Sequence, residues 1–293
     1  MIYGSTSSLK YKAIGEVLSE DLFNFGEPLL LLGFVLVLAA LFFKLSLVPF
    51  HFWAPDVYQG APTPVTALLS VGGKTAALAA SIKIYAEIVK NSLLLSQKWL
   101  FLFAIIGILT IFVGSFIALT QSQYKRLLAY SSVVHAGFLA LGLSSLAGKE
   151  DLLSRGIQAL SFYSAAYLFM NVASFAVAVA IEKSSFMDES LLVFSGLGTS
   201  SPLLSSLLSI NFLSLAGIPL TAGFLGKFYV FSNIVVQHTK LFYWIAALGL
   251  IGAVVATFYY LKVLVILYFP NKNQQPADPP EVKISVWVVL IVC

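Results

Sequence analysis

The chain has 293 residues, of which 59% are hydrophobic and 10% charged, with a formal net charge of +4. Soluble domains carry about 25% charged residues, so this composition excludes an ordinary soluble enzyme. The small positive excess suits loop lysines near lipid head groups better than nucleic-acid binding.

Apolar runs of twenty or more residues recur without period-two alternation, which predicts membrane-spanning helices rather than a barrel. Residues 1–26 are mixed and amphiphilic, carrying Lys10, Lys12, Glu16, Glu20 and Asp21, and are expected to form an extramembrane loop or a short surface helix. Their opening, MIYGSTSSLKYKAIGE, has neither the order of a secretory signal nor the arginine-rich pattern of a transit peptide. The first span is expected over 28–51, with Pro49 breaking its end, followed by a connection over 54–64. Further spans are expected over 65–89, 99–120, 127–147 and 157–181, joined by polar turns at 90–98, 125–126 and 148–155. A longer polar connection covers 182–201. The sixth span, 203–236, is interrupted around Gly217, Pro219, Gly223 and Gly226, and the seventh covers 241–269. A polar, proline-rich loop fills 270–281. The apolar stretch 284–293 is too short for a ~30 Å hydrocarbon core at 1.5 Å per residue. Four units follow: an extramembrane segment 1–27, a five-helix part 28–181, a connection 182–202, and a C-terminal part 203–293.

The first and sixth spans each pair a lysine with a proline break, and four spans separate them. That spacing suggests a five-helix repeat, and paired broken helices in corresponding halves point to a transport site. Loop lysines and arginines divide seven against five between the two sides, too evenly to set the orientation.

Three lysines, Lys44, Lys74 and Lys227, lie in apolar stretches. A charge in lipid is expensive and marks function by default. Burial disfavours the charged form of an ammonium group, so a buried lysine can exchange protons where an exposed one holds them. Arginine would stay charged. The competing account is a lysine that snorkels to the interface, which fits Lys83 and Lys262 better. No carboxylate lies deep in any span; Asp56 follows the first break and Glu87 lies near a helix end. An unpaired buried charge is destabilising, so a glutamate or aspartate from another chain is expected. His135 is either a relay between two lysines or a hydrogen-bonded structural histidine. His51 is expected to hydrogen-bond backbone freed by Pro49, and Asp56 to cap or tie the connection. Tyr163, Tyr167 and Asn171, at steps of four, share a helix face. They either line a wet axis or hold helices together. Cys293 is the single cysteine, and His51, His135 and His238 are too scattered for a metal cluster. With no glycine-rich nucleotide fingerprint either, no cofactor or metal is expected in this chain.

Three collinear stretches carry a resemblance: FFKLSLVPFHFWAPDVYQGAPTPVTALLSVGGK, YKRLLAYSSVVHAGF (124–138) and SLAGIPLTAGFLGKFYVF (214–231). Together they resemble the antiporter-like membrane subunits of respiratory complex I, and PDVYQGAP looks like the subunit 2 (bacterial subunit N) branch. The resemblance implies an all-α polytopic, inverted-repeat fold of fourteen helices, two of them broken, of which this chain would hold seven or eight. It implies a proton relay through Lys44 on the first broken helix, Lys74 on the next, His135 on the polar axis and Lys227 on the second broken helix. Pro49 and Pro219 mark the breaks. FMN, iron–sulfur clusters and ubiquinone would belong to other subunits of an NADH:ubiquinone reductase, and this chain would be a non-redox, proton-translocating part of it. About six helices precede the Lys44 helix in that family, one bearing a glutamate that pairs with this lysine. A split subunit, with the glutamate on a separate chain, is therefore expected. HFWAPD with PTPVTALLS resembles mitochondrial and bacterial versions more than plastid ones. The mitochondrial inner membrane is the expected location, with the thylakoid or the bacterial plasma membrane as alternatives. A stand-alone cation/proton antiporter and a non-pumping scaffold are the competing functions.

Overall fold

The computed structural model describes residues 1–19, 28–146, 150–182, 190–237 and 240–269, with Val286, Val289 and Leu290 near the end. The loop 270–281, the residues 183–189 of the polar connection, His238 and nearly all of 284–293 lie outside the described residues. Among the described residues the chain is helical, with no strand beyond one isolated Gln123–Ser190 bridge. Five helices are long and apolar enough to cross a membrane.

In chain order the helices are α1 (Ile2–Thr6), α2 (Tyr11–Ser19), α3 (Pro28–Leu45), α4 (Trp53–Gly60), α5 (Thr63–Glu87), α6 (Leu93–Thr120), α7 (Tyr124–Ser144), α8 (Glu150–Glu182), α9 (Leu197–Ser200), α10 (Pro202–Ala216), α11 (Ala222–Val235) and α12 (Lys240–Tyr268). Several boundaries differ from expectation. The connection expected over 54–64 is largely α4, so the first span is a broken helix that resumes rather than one that ends. The polar turns at 90–98 and 148–155 are partly helical, because α6 and α8 begin before their apolar runs. Part of the connection 182–201 is ordered as a 3-10 turn over Leu191–Phe194 and the short α9. Charged residues at helix ends stay in water while the backbone ladder continues, so polarity alone misplaces these starts.

Helix α7 is the centre of the bundle. Its membrane segment is 94% buried inside the chain, against 33% for α12. α6 lies along it, and α4, α5, α8, α11 and α12 also touch it. A helix so enclosed meets protein on all sides, so it can carry Ser131, Ser132 and His135 at depth without exposing them to hydrocarbon.

Both breaks are built alike. At the first, Ser46 takes a left-handed conformation (φ 60°), its N–H donates to the Phe43 carbonyl, and the Leu47 N–H donates to that of Phe42. At the second, Gly217 is left-handed (φ 87°), its N–H donates to the Ser214 carbonyl, and the Ile218 N–H donates to that of Leu213. These paired bonds are the Schellman ending of a helix. A proline, Pro49 or Pro219, follows within three residues and prevents continuation. The first break is tied further by the Trp53 indole N–H on the Phe43 carbonyl (2.9 Å) and by the Val48 N–H on the Thr110 hydroxyl (3.0 Å). Two matching breaks with four spans between them accord with the spacing read from the sequence.

After the second break α11 folds back tightly on α10. A Cβ at Gly223 would lie 1.8 Å from the Ser214 carbonyl oxygen. Gly223→Ala is therefore expected to overpack the seam and destabilise the protein by about 1–3 kcal/mol. Gly72→Ala, where the nearest atom is 3.6 Å away, should be tolerated. Thermal unfolding of both variants in the same detergent checks the difference.

Candidate functional site

The site is assembled on α7, where Ser132, His135 and Phe138 follow at steps of three and span about 9 Å of helix. Lys74 of α5 is 1% exposed. Its ammonium donates to the Ser132 carbonyl and hydroxyl. The Tyr58 hydroxyl of α4 lies 3.4 Å from the same serine oxygen. His135 is held at both ring nitrogens: Nδ1 is 2.7 Å from the Tyr163 hydroxyl and Nε2 is 3.0 Å from that of Tyr260. Tyr260 in turn bonds Ser131, one turn back on α7. The Tyr167 ring stacks 4.8 Å from the imidazole.

Lys227 of α11 is 5% exposed and reaches back across the second break. Its ammonium donates to the Leu215 and Ala216 carbonyls at 2.9 and 2.8 Å. These are the last carbonyls of α10, which have no intrahelical donor and form the negative end of the helix dipole. The Phe138 ring lies 4.9 Å from the ammonium, a cation–π contact. Gly217 is required twice here, by its positive φ and by space. A Cβ on it would come within 3.0 Å of the Lys227 Nζ. The break thus creates the acceptors that receive the lysine.

The remaining sequence-derived residues divide. Lys44 stands apart: it is exposed on the surface of the described chain, near the end of α3, with its Cε 3.7 Å from where a Cβ of Gly73 would be. The expectation that it is buried within this chain is corrected, because α3 and α5 leave that face open. His51 is buried beside the break, with its imidazole set toward the Pro49 backbone and its ring against Phe52. Asp56 ties α4 to α7 through a 3.3 Å ion pair with Arg126. Asn171 donates to Ser70 across the α8–α5 seam, an interhelical bond, whereas Tyr163 and Tyr167 face the axis around His135. Lys262 donates to the Leu119 and Gln121 carbonyls at the end of α6 (3.0 and 2.8 Å). Lys83 lies over the Tyr11 ring at 5.5 Å. Sequence reasoning missed Tyr58, Phe138 and Tyr260. Tyr260 lies in a 29-residue apolar helix, where a tyrosine draws no notice until its neighbours are known.

An all-helical membrane bundle with two broken helices and lysines set around a central buried helix is an antiporter-like fold. The chain belongs to the NADH:quinone oxidoreductase/Mrp antiporter transmembrane family, whose model matches residues 1–255. It is 39% identical over 281 residues to NADH-quinone oxidoreductase subunit N of Moorella thermoacetica, covering 96% of this chain and 54% of that protein. The chain thus spans about half the length of the curated relatives it matches. It superposes on a chain of Thermus thermophilus respiratory complex I with bound aureothin with a TM-score of 0.73 at 32% identity, covering 99% of this chain and 60% of that one. A chain of the Mrp complex from Dietzia sp. shares the fold, with a TM-score of 0.78 at 24% identity over 95% of this chain and 50% of that one.

Lys262→Met should leave two helix-end carbonyls without a donor and destabilise the protein by about 1–3 kcal/mol. Lys83→Met, which loses only a half-exposed ring contact, should fall within about 0.5 kcal/mol of wild type. Thermal melts in one detergent separate the two.

Proposed function

We propose that the chain is a proton-translocating part of a membrane-arm subunit related to subunit N of complex I. In this reading protons move along Lys44, Lys74, His135 and Lys227. One observation carries it. Lys74 and Lys227 are both buried, and neither forms an ion pair among the described residues. Both reach polar or aromatic groups flanking one histidine on α7. Residues serving packing alone would be replaced by apolar side chains of similar volume without loss, and often with gain. Buried lysines held by carbonyls and a hydroxyl suit groups that alternate between charged and neutral forms.

Each step conserves the proton. Lys74 as an ammonium gives one to the Ser132 hydroxyl, which releases its own proton onward, and His135 takes that proton at one ring nitrogen while releasing one from the other. Neutral Lys227 receives it and becomes the ammonium that the α10 carbonyls stabilise. The separations between Lys74, His135 and Lys227 call for water. The buried Tyr167 and Tyr259 hydroxyls, set beside Ser132 and the Ser131–Tyr260 pair, are suited to hold it. Lys44 starts the row on the open α3–α5 face. A carboxylate supplied by polypeptide packed on that face, a separate chain in our reading, balances it.

The redox chemistry belongs to other subunits that hold FMN, iron–sulfur clusters and ubiquinone. This chain contributes no redox group and works as part of the NADH:quinone oxidoreductase assembly with other membrane-arm subunits. The chain is a multi-pass membrane protein, and the subunit N relatives named by organism are bacterial. That favours the bacterial plasma membrane over the mitochondrial inner membrane expected from the motifs.

Lys74→Ala should lower NADH-driven proton pumping by at least about tenfold, with the assembly intact on native gels. Undiminished pumping in an assembled variant would leave this chain as a scaffold. Reconstituted alone, the wild-type protein should exchange neither Na⁺ nor K⁺ for protons; exchange would favour a stand-alone antiporter.

A further inference from the structure

A groove of about 380 Å³ opens on the outside of the bundle between α8 and α11, away from the lysine row. The two helices run antiparallel there. α8 begins at the level where α11 ends, as the closeness of Gly156 to Asn233 and of Phe162 to Tyr229 shows. The wall is graded. Arg155, Gln158, Ser232 and Asn233 line the end nearest the helix termini, and Phe162 and Tyr229 line the inner end. Arg155 and Phe162 are seven residues apart on α8, about 10 Å along the axis. Arg155 lies near the start of α8, just before the apolar run expected from Ile157, at the end of the helix that would meet the head-group layer.

Three features define the occupant. First, Arg155 is exposed and makes no hydrogen bond or ion pair with any described residue, and no carboxylate stands among the described lining residues of the groove. A guanidinium fork without a partner suits a phosphate, which it can hold through two parallel bonds. Second, the polar groups lie at the outer end and a T-shaped aromatic pair, Phe162 and Tyr229 at 5.5 Å, at the inner end. A free anion uses only the first part, whereas a molecule with a charged head and an apolar tail uses both. Third, the floor is fixed: the Asn233 amide donates to the Ser145 carbonyl and hydroxyl at 3.1 and 2.9 Å, pinning α11 to the end of α7.

We propose that this groove binds one anionic phospholipid, its phosphate on Arg155, its glycerol region by Gln158 and Ser232, and an acyl chain along Phe162 and Tyr229. The described lining offers no acid to an ammonium, which selects against head groups that carry one. The seam it fills is built by the helices that carry Tyr163 and Lys227, so the lipid would brace the outer side of the polar axis.

The test uses the protein purified from its membrane in its native assembly and exchanged into nanodiscs of phosphatidylcholine with trace phosphatidylglycerol. Native mass spectrometry then counts retained lipid. Wild type should keep one phosphatidylglycerol per chain, and Arg155→Gln should weaken that retention about tenfold. Lys240→Gln, a change of charge at the same membrane boundary but outside the groove, should not. Phe162→Ser keeps the arginine and should weaken retention of long-chain lipid while sparing the short-chain dihexanoyl form. Unchanged retention in Arg155→Gln, equal loss in Lys240→Gln, no effect of Phe162→Ser, equal retention of phosphatidylcholine, or displacement by millimolar inorganic phosphate would each overturn the proposal.

Discussion

A peptide carbonyl freed inside a membrane must find a donor, because hydrocarbon offers none. This constraint shapes the second break. Gly217 turns α10 out of its helix, and the Leu215 and Ala216 carbonyls lose the N–H groups that would have followed. Lys227, five residues into the next helix, reaches back to supply the bonds. A buried ammonium and two buried carbonyls, each unfavourable alone, satisfy one another. The result is a cation site made without any carboxylate.

The first break solves the same problem differently. There the Trp53 indole and the Thr110 hydroxyl supply outside bonds, and the two Schellman bonds supply the rest. Lys44 is left with none of that work and points to an open face. The two breaks therefore share an architecture and differ in the state of their lysine: one is locked to its own break, the other is exposed beside α3 and α5. Between them α7 provides the enclosed interior in which a serine, a histidine and the tyrosines around it can hold fixed positions.

Much of this was legible beforehand. Charges inside apolar runs stand out because lipid tolerates so few of them. Prolines near Lys44 and Lys227 announce breaks because no helix runs through them undisturbed. Lys262 shows the limit of that logic: its distance from α6 in the chain hid a helix end that needed a donor. Which donor meets which orphan carbonyl is settled between helices far apart in sequence.

By itself the sequence determined that this is a helical membrane protein, that two of its helices break, and that three lysines have an unusual place in it. Those properties follow from local chemistry: hydrophobic length, proline's missing N–H and the energy of a charge in lipid. Only the tertiary structure decided that Lys74 and Lys227 share α7 with His135, that Tyr163 and Tyr260 hold the two sides of that imidazole, and that Lys44 faces outward. Those arrangements depend on which helices pack together and at what register, and apolar stripes of nearly uniform hydrophobicity do not encode it.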